Sequence, residues 1–492
     1  MTVDPRTPCV VGVGRRTWHP DEVGERGAPE PLTMWEDVAR AASADCTAGD
    51  VLSRVESLDI VYCQTAQYDH PTARLAAALG IEPARAAYSG IGGTTPQLLV
   101  SDIATRMLAG ELDVALVVGA EALATKRRLK KAGTSPTYSF RPAEKPEFPW
   151  EAPFHPAEVA HEVFQAWLTF ALFDNARRAR LGTALADYRL ALGELWAPCS
   201  AVASLNPQAW FRTARSVDEL VAPTADNRMV GYPYTKYMVS VMDVDMAAAL
   251  VLMTHRSAES LEVPPDRRVY LRGGTYAEDP VYVGEHDELW RSPALAAAGQ
   301  GVLASAGVGT DDVAHLDLYS CFGSSLFFAC DAFGLSPSDP RGLTVTGGLP
   351  YHGGPGSNYL THSIATMVDV LRSDPGSLGL VSGVGMHMTK HAFGLYSTEP
   401  GPLAPPATVT TAQPTRRIVD TYDGDVVVAA YSVVHGRDGG PEWGLAVCDL
   451  PDGSRTYARF TDPDTLIHAE TEELVGTRVT LTTDGRVNTM RS

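Results

Sequence analysis

Apolar residues in the first quarter of the chain occur in two spacings, which predict alternating strands and helices. Unbroken apolar runs at residues 10–13 and 113–121 are typical of strands covered on both faces of a sheet. Residues 95–109 have helical spacing, with Pro96 at the first helical position and Gly110 directly after the last one. The pattern therefore predicts strands joined by helices packed on a sheet.

The second half of the chain repeats this pattern. Residues 268–273 and 315–322 predict strands, and residues 294–307 predict an alanine-rich helix. LDIVYC at residues 58–63 matches LDLYSC at residues 316–321, with Leu, Asp and Cys at the same offsets. Both copies follow one predicted helix and precede another. The sequence therefore predicts an internal duplication and an α/β sheet with right-handed crossovers.

Two regions differ in composition from these halves. Residues 124–237 combine a basic run, KRRLKKAG, with a Pro-rich segment and predict an insertion between two strands. After the prolines at 402–406, short alternating runs separated by Asp-Gly turns predict a small all-β barrel or sandwich; the runs are residues 417–421, 425–434, 442–448, 456–460 and 478–482. We expect an N-terminal half, an inserted loop domain, a C-terminal half and a β domain, at residues 1–123 with 238–265, 124–237, 266–400 and 407–492.

Composition and charge exclude several classes of function. The 492 residues are 45% hydrophobic and 20% charged, which is ordinary for a folded protein, and 40 basic against 59 acidic residues give a net charge of −19. Such a charge disfavours binding to nucleic acid and to anionic membranes. A polar N-terminus and seven scattered cysteines without a CxxC pair predict a cytoplasmic protein with no structural metal site.

Four motifs together resemble the thiolase superfamily. SGIGGTTPQLLVSDIATRMLAGELDVALVVGAEAL at residues 89–123 has its glycine-rich turn, buried helix and strand ending in G-x-E. YSCF at 319–322, GGLPYHGGPGSNY at 347–359 and SGVG at 382–385 occupy the places of its later motifs. The β domain resembles the C-terminal module of type 1 thiolase-like proteins, which is OB-like. This resemblance implies a duplicated thiolase fold, layered α/β/α/β/α, plus a small barrel.

The resemblance implies chemistry on coenzyme A thioesters, but this chain departs from the family at its reactive positions. In the family, a cysteine at a helix N-terminus accepts the acyl group, a second residue moves the α-proton, and two oxyanion holes hold the developing charge. Family spacing places Gly93 at the nucleophile and Gly383 on or near the second catalytic residue. Tyr319 replaces the first oxyanion-hole residue, and Gly354 stands in place of a histidine. Covalent acyl transfer is therefore not expected.

The candidate catalytic residues are Tyr319, His352 and His387. The Tyr319 phenol would donate a hydrogen bond to a substrate carbonyl or exchange a proton with it. His352 lies in the glycine-rich loop, and His387 follows the SGVG turn. His391 is the alternative to His387 as the histidine that enters the pocket. The ordinary alternatives are a half-buried tyrosine at a strand end, an exposed loop histidine and a hydrogen-bonded strand histidine. Cys321 repeats Cys63, which favours packing for both thiols.

The candidate ligand-binding residues fall into two groups. Glycines near the reactive positions, with the adjacent threonine, would bring backbone N–H groups close to a carbonyl or anion: Gly93, Thr94, Gly353, Gly354, Gly383 and Gly385. Basic residues would hold the phosphates of coenzyme A: Arg127 and Arg128, with Arg228 and Lys236 as alternative contacts. The alternative for the basic run, which also contains Lys126, Lys130 and Lys131, is a solvated helix.

Three functions remain open. The first is an acyl-CoA-binding, thiolase-like acyltransferase relative in lipid metabolism that carries out non-covalent C–C bond chemistry or binds coenzyme A only. The second is retro-aldol cleavage of a β-hydroxyacyl-CoA, for which Tyr351 and Tyr359 compete as a second tyrosine. The third is a non-catalytic binder or assembly subunit. We expect a monomer or homodimer, with a partner protein possible at the β domain.

Overall fold

The structure is a computed structural model that describes residues 3–149, 154–402 and 404–491. Residues 150–153 of the predicted insertion lie outside these ranges, as do residues 1, 2 and 492 of the predicted terminal units. No helix among the described residues is long and apolar enough to cross a lipid bilayer.

The described residues form seventeen strands and fourteen α-helices. The strands are β1 Pro8–Thr17, β2 Ser57–Ile60, β3 Arg85–Tyr88, β4 Val114–Ala122, β5 Met229–Gly231, β6 Tyr234–Thr235, β7 Asp245–Thr254, β8 Val269–Glu278, β9 His315–Asp317, β10 Leu378–Gly385, β11 Lys390–Ser397, β12 Ala407–Thr408, β13 Gly424–His435, β14 Pro441–Asp449, β15 Arg455–Phe460, β16 Arg478–Thr483 and β17 Asn488–Met490. The helices are α1 Pro20–Val23, α2 Pro31–Asp45, α3 Pro71–Leu79, α4 Thr95–Ala109, α5 Leu123–Lys131, α6 Pro156–Ala160, α7 Ala166–Leu181, α8 Leu185–Leu205, α9 Val217–Val221, α10 His255–Ser260, α11 Pro293–Ala306, α12 Gly323–Phe333, α13 Tyr359–Ser373 and α14 Pro463–Thr471.

One large sheet runs through both halves, in the order β3-β2-β4-β7-β1-β8-β11-β10-β9, with β12 added beside β8. In the first half, β1 and β4 are antiparallel to β7, and β2 is parallel to β4. In the second half, β8 and β10 are antiparallel to β11, and β9 is parallel to β10. The same pairing occurs twice, which confirms the predicted duplication.

The matching sequence segments start on equivalent strands. LDIVYC begins on β2 and LDLYSC begins on β9. Strand β2 lies beside the longer strand β4, and β9 lies beside the longer strand β10. Helix α4 spans the residues predicted for it and ends where Gly110 adopts the left-handed conformation, with φ 77°. Its apolar side packs between the sheet and α13, so its N-terminus lies inside the protein.

The two halves differ in the length of one connection, which follows β4 in the first half and β10 in the second. Strands β10 and β11 are joined by a turn at residues 386–389, whereas β4 and β7 are joined by residues 123–244. The longer connection contains α5 to α9 and the short strands β5 and β6. The limits given above for the individual domains stay predictions.

The C-terminal residues form a closed barrel of five strands in the order β13-β14-β15-β17-β16, and β13 returns to pair with β14. The predicted runs at 425–434, 442–448, 456–460 and 478–482 are confirmed as strands. The predicted strand at 417–421 is wrong: Val419 N donates to Arg455 O, Arg416 N donates to Glu285 O, and only Ile418 forms an isolated bridge. Within residues 417–421, backbone–backbone hydrogen bonds join Arg417 and Val419 to Arg455 alone among the described residues, so the segment forms no ladder.

The barrel is joined to the rest of the protein by buried polar contacts. The Tyr457 hydroxyl donates to Glu158 Oε1 (2.8 Å) and accepts from Gly284 N (2.7 Å), and Val283 N donates to the same carboxylate oxygen (2.9 Å). Burial raises the pKa of Glu158 to about 7. Strand β13 also pairs with β5 from the connection between β4 and β7. Barrel and core therefore share one interior.

We expect Tyr457→Phe to lower the free energy of unfolding by about 1–3 kcal/mol, because it leaves Gly284 N–H without its acceptor and removes one of the two donors to Glu158 Oε1. Tyr431→Phe is a matched control, since Tyr431 is also buried in the barrel but its hydroxyl has no partner among the described residues. Urea denaturation of both variants measures the difference. Equal losses would show that the Tyr457 hydrogen bonds contribute nothing.

Candidate functional site

The two glycines at the predicted reactive positions lie against each other, with Gly383 buried and Gly93 partly buried. Gly93 precedes α4, and Gly383 lies in β10 of the other half. A Cβ atom at position 383 would lie 3.0 Å from Gly93 O and 3.1 Å from Thr94 Cα. A Cβ atom at position 385 would lie 3.4 Å from Thr94 Oγ1. The fold therefore brings Gly93, Thr94, Gly383 and Gly385 together, as their predicted shared role requires.

The space beside Gly93 is filled by another side chain. A Cβ atom at position 93 would lie 2.4 Å from the Tyr319 hydroxyl and 2.2 Å from the Val384 carbonyl oxygen. Non-bonded atoms do not approach this closely, so residue 93 has no room for a side chain unless its surroundings move. Glycine is required here by space: Tyr319 occupies the volume into which a side chain would project.

Tyr319 is held in this position by a backbone hydrogen bond and by a ring contact. Its backbone N–H donates to Ser382 Oγ at 2.8 Å, and its ring meets the Tyr359 ring edge-on, with centroids 5.5 Å apart. Burial raises the pKa of the Tyr319 phenol well above its usual value. At neutral pH the group is therefore a protonated hydrogen-bond donor.

Tyr359, rather than Tyr351, is the second tyrosine at this centre. Tyr351 packs against Trp196 instead, with centroids 6.2 Å apart. The Tyr359 hydroxyl lies 2.7 Å from Thr346 Oγ1 and donates to Asp317 Oδ2 at 3.3 Å. Asp317 belongs to the LDLYSC motif, so the repeated motif supplies the carboxylate that orients this ring.

His352 also packs against Tyr359. Its ring centroid is 5.7 Å from that of Tyr359 and 5.3 Å from that of His362. Nδ1 lies 3.2 Å from Gly353 O, and Nε2 has no hydrogen-bond partner among the described residues. Burial lowers the pKa of His352 to about 4, so the imidazole is neutral at pH 7.

The other two candidate histidines make different contacts. His387 Nδ1 lies 2.7 Å from Thr169 Oγ1, its ring is 5.6 Å from that of Phe154, and burial lowers its pKa to about 4. His391 is fully buried, with Nε2 2.9 Å from Asp279 Oδ2 and 3.1 Å from Ser292 Oγ. None of the contacts given for the described residues joins either histidine to Tyr319.

A basic cavity, which we call the Arg127 cavity, lies beside α5 and the start of β7. Its volume is about 550 Å³, and its lining includes Arg127, Arg128, Lys131, Lys236, Phe211, Val241, Met242 and Asp243. Arg127 forms an ion pair with Asp243. Phe211 is 43% and Met242 is 47% exposed, so the cavity combines cations with accessible apolar surface. Three of the four basic residues predicted to bind phosphate meet here.

Hydrogen bonds connect the wall of the Arg127 cavity to the glycine-rich loop. Phe211 N donates to Tyr351 O (2.9 Å), and Gly354 N donates to Val241 O (2.8 Å). Gly353 has φ 98°, a conformation that favours glycine, and a Cβ atom there would lie 2.9 Å from Val244 Cγ1. The loop that holds His352 therefore borders the inner wall of the cavity.

Arg228, the fourth predicted phosphate contact, lies elsewhere. Its guanidinium donates to Met229 O (2.7 Å) and Gly436 O (3.3 Å), and it lines a cavity of about 270 Å³ together with Arg437 and Asp438 of the barrel. Although Lys236 N donates to Arg228 O at 2.9 Å, the Arg228 side chain lines a different cavity from Arg127, Arg128 and Lys236.

Glu121 is a buried site residue that sequence reasoning did not single out. Its carboxylate accepts from Gln64 N (2.7 Å), Thr65 N (2.9 Å) and Thr65 Oγ1 (2.5 Å), and a Cβ atom at Gly356 would lie 2.6 Å from Oε1. Burial raises the pKa of Glu121 to about 7. A carboxylate that ends an unbroken apolar strand is the sequence signal that marks it.

The cysteines do not supply a reactive thiol. All seven are buried and free. Burial raises the pKa of the Cys63 thiol well above its usual value and that of Cys321 to about 12, and each thiolate is therefore disfavoured at pH 7. Among the described residues, no group of three or more His, Cys, Asp or Glu side chains is arranged to hold a metal ion.

Comparisons with known proteins give the chain its relatives. The model of the thiolase-like protein type 1 additional C-terminal domain matches residues 406–486. A monomeric SCP2-thiolase like protein type 1 from Mycobacterium smegmatis is 36% identical over all of both chains, with a TM-score of 0.84. No curated protein matches the chain.

Two more distant structures share the fold. The Ltp2-ChsH2(DUF35) aldolase is 16% identical, with 81% of this chain and all of that chain covered and a TM-score of 0.61. The Acat5 thiolase from Ascaris suum, solved in complex with coenzyme A, is 13% identical, with 80% and 99% covered and a TM-score of 0.57. The predicted thiolase fold is thereby confirmed.

We expect Gly93→Ala to destabilise the protein by about 1–3 kcal/mol, because the new methyl group would overlap Val384 O and the Tyr319 hydroxyl. Gly49→Ala is the matched control, since a Cβ atom there has nothing within 4 Å. Thermal unfolding of both variants measures the effect. A Gly93→Ala melting temperature equal to that of Gly49→Ala would show that the space beside Gly93 is not filled.

Proposed function

The chain belongs to the family of type 1 SCP2-thiolase-like proteins, and from this premise we propose that it binds acyl-coenzyme A without forming an acyl-enzyme. The observation that carries this proposal is the filled space at Gly93. The helix N-terminus that would activate a nucleophile is present, but Tyr319 and Val384 O occupy the volume of any side chain there. The buried thiols offer no substitute, because their neutral forms are favoured.

We place the nucleotide end of coenzyme A in the Arg127 cavity. Arg127, Arg128, Lys131 and Lys236 offer four cations to its phosphates, against one carboxylate from Asp243. The apolar surfaces of Phe211 and Met242 suit the adenine ring and the pantetheine chain. The thioester would then reach the glycine-rich loop, since the cavity wall is hydrogen-bonded to that loop. Arg228 has no part in this arrangement.

A second candidate function is retro-aldol cleavage of a β-hydroxyacyl-CoA. Tyr359 beside Tyr319 favours it, because two protonated phenols at one centre can orient the β-hydroxyl while neutral His352, whose ring lies beside that of Tyr359, accepts its proton. That proton leaves, the Cα–Cβ bond breaks, and its electron pair becomes the enolate of the shorter thioester, which is protonated at Cα. Backbone N–H groups near Gly93 and Gly383 would hold the enolate oxygen, and neutral His352 would assist proton movement.

The C-terminal barrel is consistent with a protein that binds a partner protein. A five-strand barrel with a helix between its third and fourth strands is OB-like, and we propose it as the contact for a partner protein in lipid metabolism. An assembly subunit that only binds acyl-CoA uses the same cavity. We also propose a cytoplasmic location, a monomer or homodimer as the oligomeric state, and the domain limits given above.

Coenzyme A should bind with one-to-one stoichiometry and weaken as salt is raised, because its phosphates contact exposed cations. Arg127→Ala combined with Lys236→Ala should weaken binding at least tenfold in calorimetry, whereas Arg228→Ala should not, since Arg228 lines a different cavity. Equal loss in both variants, or no binding by the native protein at millimolar coenzyme A, would contradict the proposed site.

Incubation with acetyl-CoA should leave the intact mass unchanged, because no nucleophile has room to attack. If the retro-aldolase candidate is right, a β-hydroxyacyl-CoA should release an aldehyde or ketone trapped by a hydrazine reagent. Tyr319→Phe should then be at least tenfold slower in kcat, because the donor is removed while the ring remains. A stable acyl adduct would disprove the non-covalent proposal, and turnover that survives Tyr319→Phe would disprove the role of this tyrosine.

A further inference from the structure

A second basic cavity lies on the opposite side of α5 from the Arg127 cavity. We call it the Lys130 cavity. Its volume is about 670 Å³, and four cationic side chains line it: Lys126, Lys130, Arg141 and Lys145. Residues 126 and 130 are four apart, as are 127 and 131, so the helix presents one pair to each cavity. The two cavities therefore have separate cations.

The positive charge of the Lys130 cavity is not neutralised by any acidic residue in its described lining. None of its described lining residues is Asp or Glu, although the chain as a whole has a net charge of −19. Neither Lys130 nor Lys145 forms an ion pair with a described residue. Lys126 is fixed, since its ammonium donates to Thr65 O at 2.7 Å. Four cations held around one space attract an anion.

Aromatic rings line the same space. Tyr62 and Phe148 meet edge-on with centroids 5.9 Å apart, and Phe148 is 40% exposed. The Arg141 guanidinium lies 5.9 Å from the centre of the Tyr138 ring. The Tyr138 hydroxyl is buried and has no partner among the described residues, so the accessible part of this residue is its ring. These surfaces suit a planar apolar group.

The outer wall of the Lys130 cavity is attached to the core. Ser139 donates to the Glu30 carboxylate through both its backbone N–H (2.7 Å) and its hydroxyl (2.8 Å). Asp69 N donates to Phe140 O at 2.8 Å, and the Arg74 guanidinium lies 4.2 Å from the Phe140 ring centre. A pocket with anchored walls needs little ordering when a ligand enters.

We propose that the Lys130 cavity is a second small-molecule site, for an anion that carries a planar ring. Its phosphate, sulfonate or carboxylate group contacts Lys130, Lys145 and Arg141, and its ring packs against Tyr62, Tyr138 and Phe148. The floor of the cavity connects it to the interior, because Gln64 and Thr65 line it and also donate to buried Glu121. The site is independent of the proposed coenzyme A site, since α5 separates the two.

The test uses 1-naphthyl phosphate as the probe and inorganic phosphate as its ring-free counterpart. In calorimetry with saturating coenzyme A present, 1-naphthyl phosphate should bind one-to-one and inorganic phosphate should bind at least tenfold more weakly. Lys130→Glu combined with Lys145→Glu should weaken the probe at least tenfold. Arg54→Glu is the control, because Arg54 is exposed and lines neither cavity, and it should leave probe affinity within twofold.

Three results would overturn the proposal: no binding of the probe at millimolar concentration, displacement of the probe by coenzyme A, or equal loss in Arg54→Glu and in the double lysine variant. Melting temperatures of the variants show that each is folded. If coenzyme A itself does not bind, the probe titration is run without it, and the comparison of Arg54→Glu with the double lysine variant still decides the question. Failure of this site and failure of the coenzyme A site are thereby distinguished.

Discussion

The close approach of two chain segments at Gly93 determines what this site can do. The N-terminus of α4 lies against β10 of the other half, and the Val384 carbonyl and Tyr319 hydroxyl both lie within 2.4 Å of where a side-chain atom would start. A duplicated sheet creates this meeting point, because each half contributes a buried helix beside its central strands. The arrangement keeps the dipole and backbone N–H groups of a helix start while it excludes a side-chain nucleophile. Under the proposed function, chemistry there would use phenol, imidazole and backbone groups.

Most of the fold could be predicted from the sequence, because its signals are local. Unbroken apolar runs mark β1 and β4, Pro96 and Gly110 mark the ends of α4, and Asp-Gly turns separate the barrel strands. The prediction was wrong at residues 417–421, where an alternating pattern is present but the backbone–backbone hydrogen bonds go to a single barrel residue, Arg455. Helix α14 and strand β17 were missed, since each is short and is stabilised by the barrel around it.

The candidate site was less predictable, because side-chain neighbours are set by tertiary structure. Arg127 and Arg228 are both basic residues of the same connection, and the sequence does not reveal that one faces the Arg127 cavity and the other the barrel. Tyr351 and Tyr359 were equally good candidates until their ring contacts separated them. Family spacing placed Gly93 and Gly383, and the structure brings them together; nothing in the sequence shows that Tyr319 fills the space between the halves.

The pairing of β5 with β13 has a consequence for how the protein is made. Ser432 Oγ donates to Tyr232 O at 2.9 Å, across 200 positions of the chain, and Tyr232 N donates to Val433 O at 2.8 Å. During synthesis the middle of the chain leaves the ribosome long before the strand that will complete its sheet. Until β13 emerges, β5 presents unpaired backbone groups at an open edge. Strand β13 therefore completes a sheet begun about 200 residues earlier, and a nascent chain that has not yet exposed β13 is open to mispairing at β5.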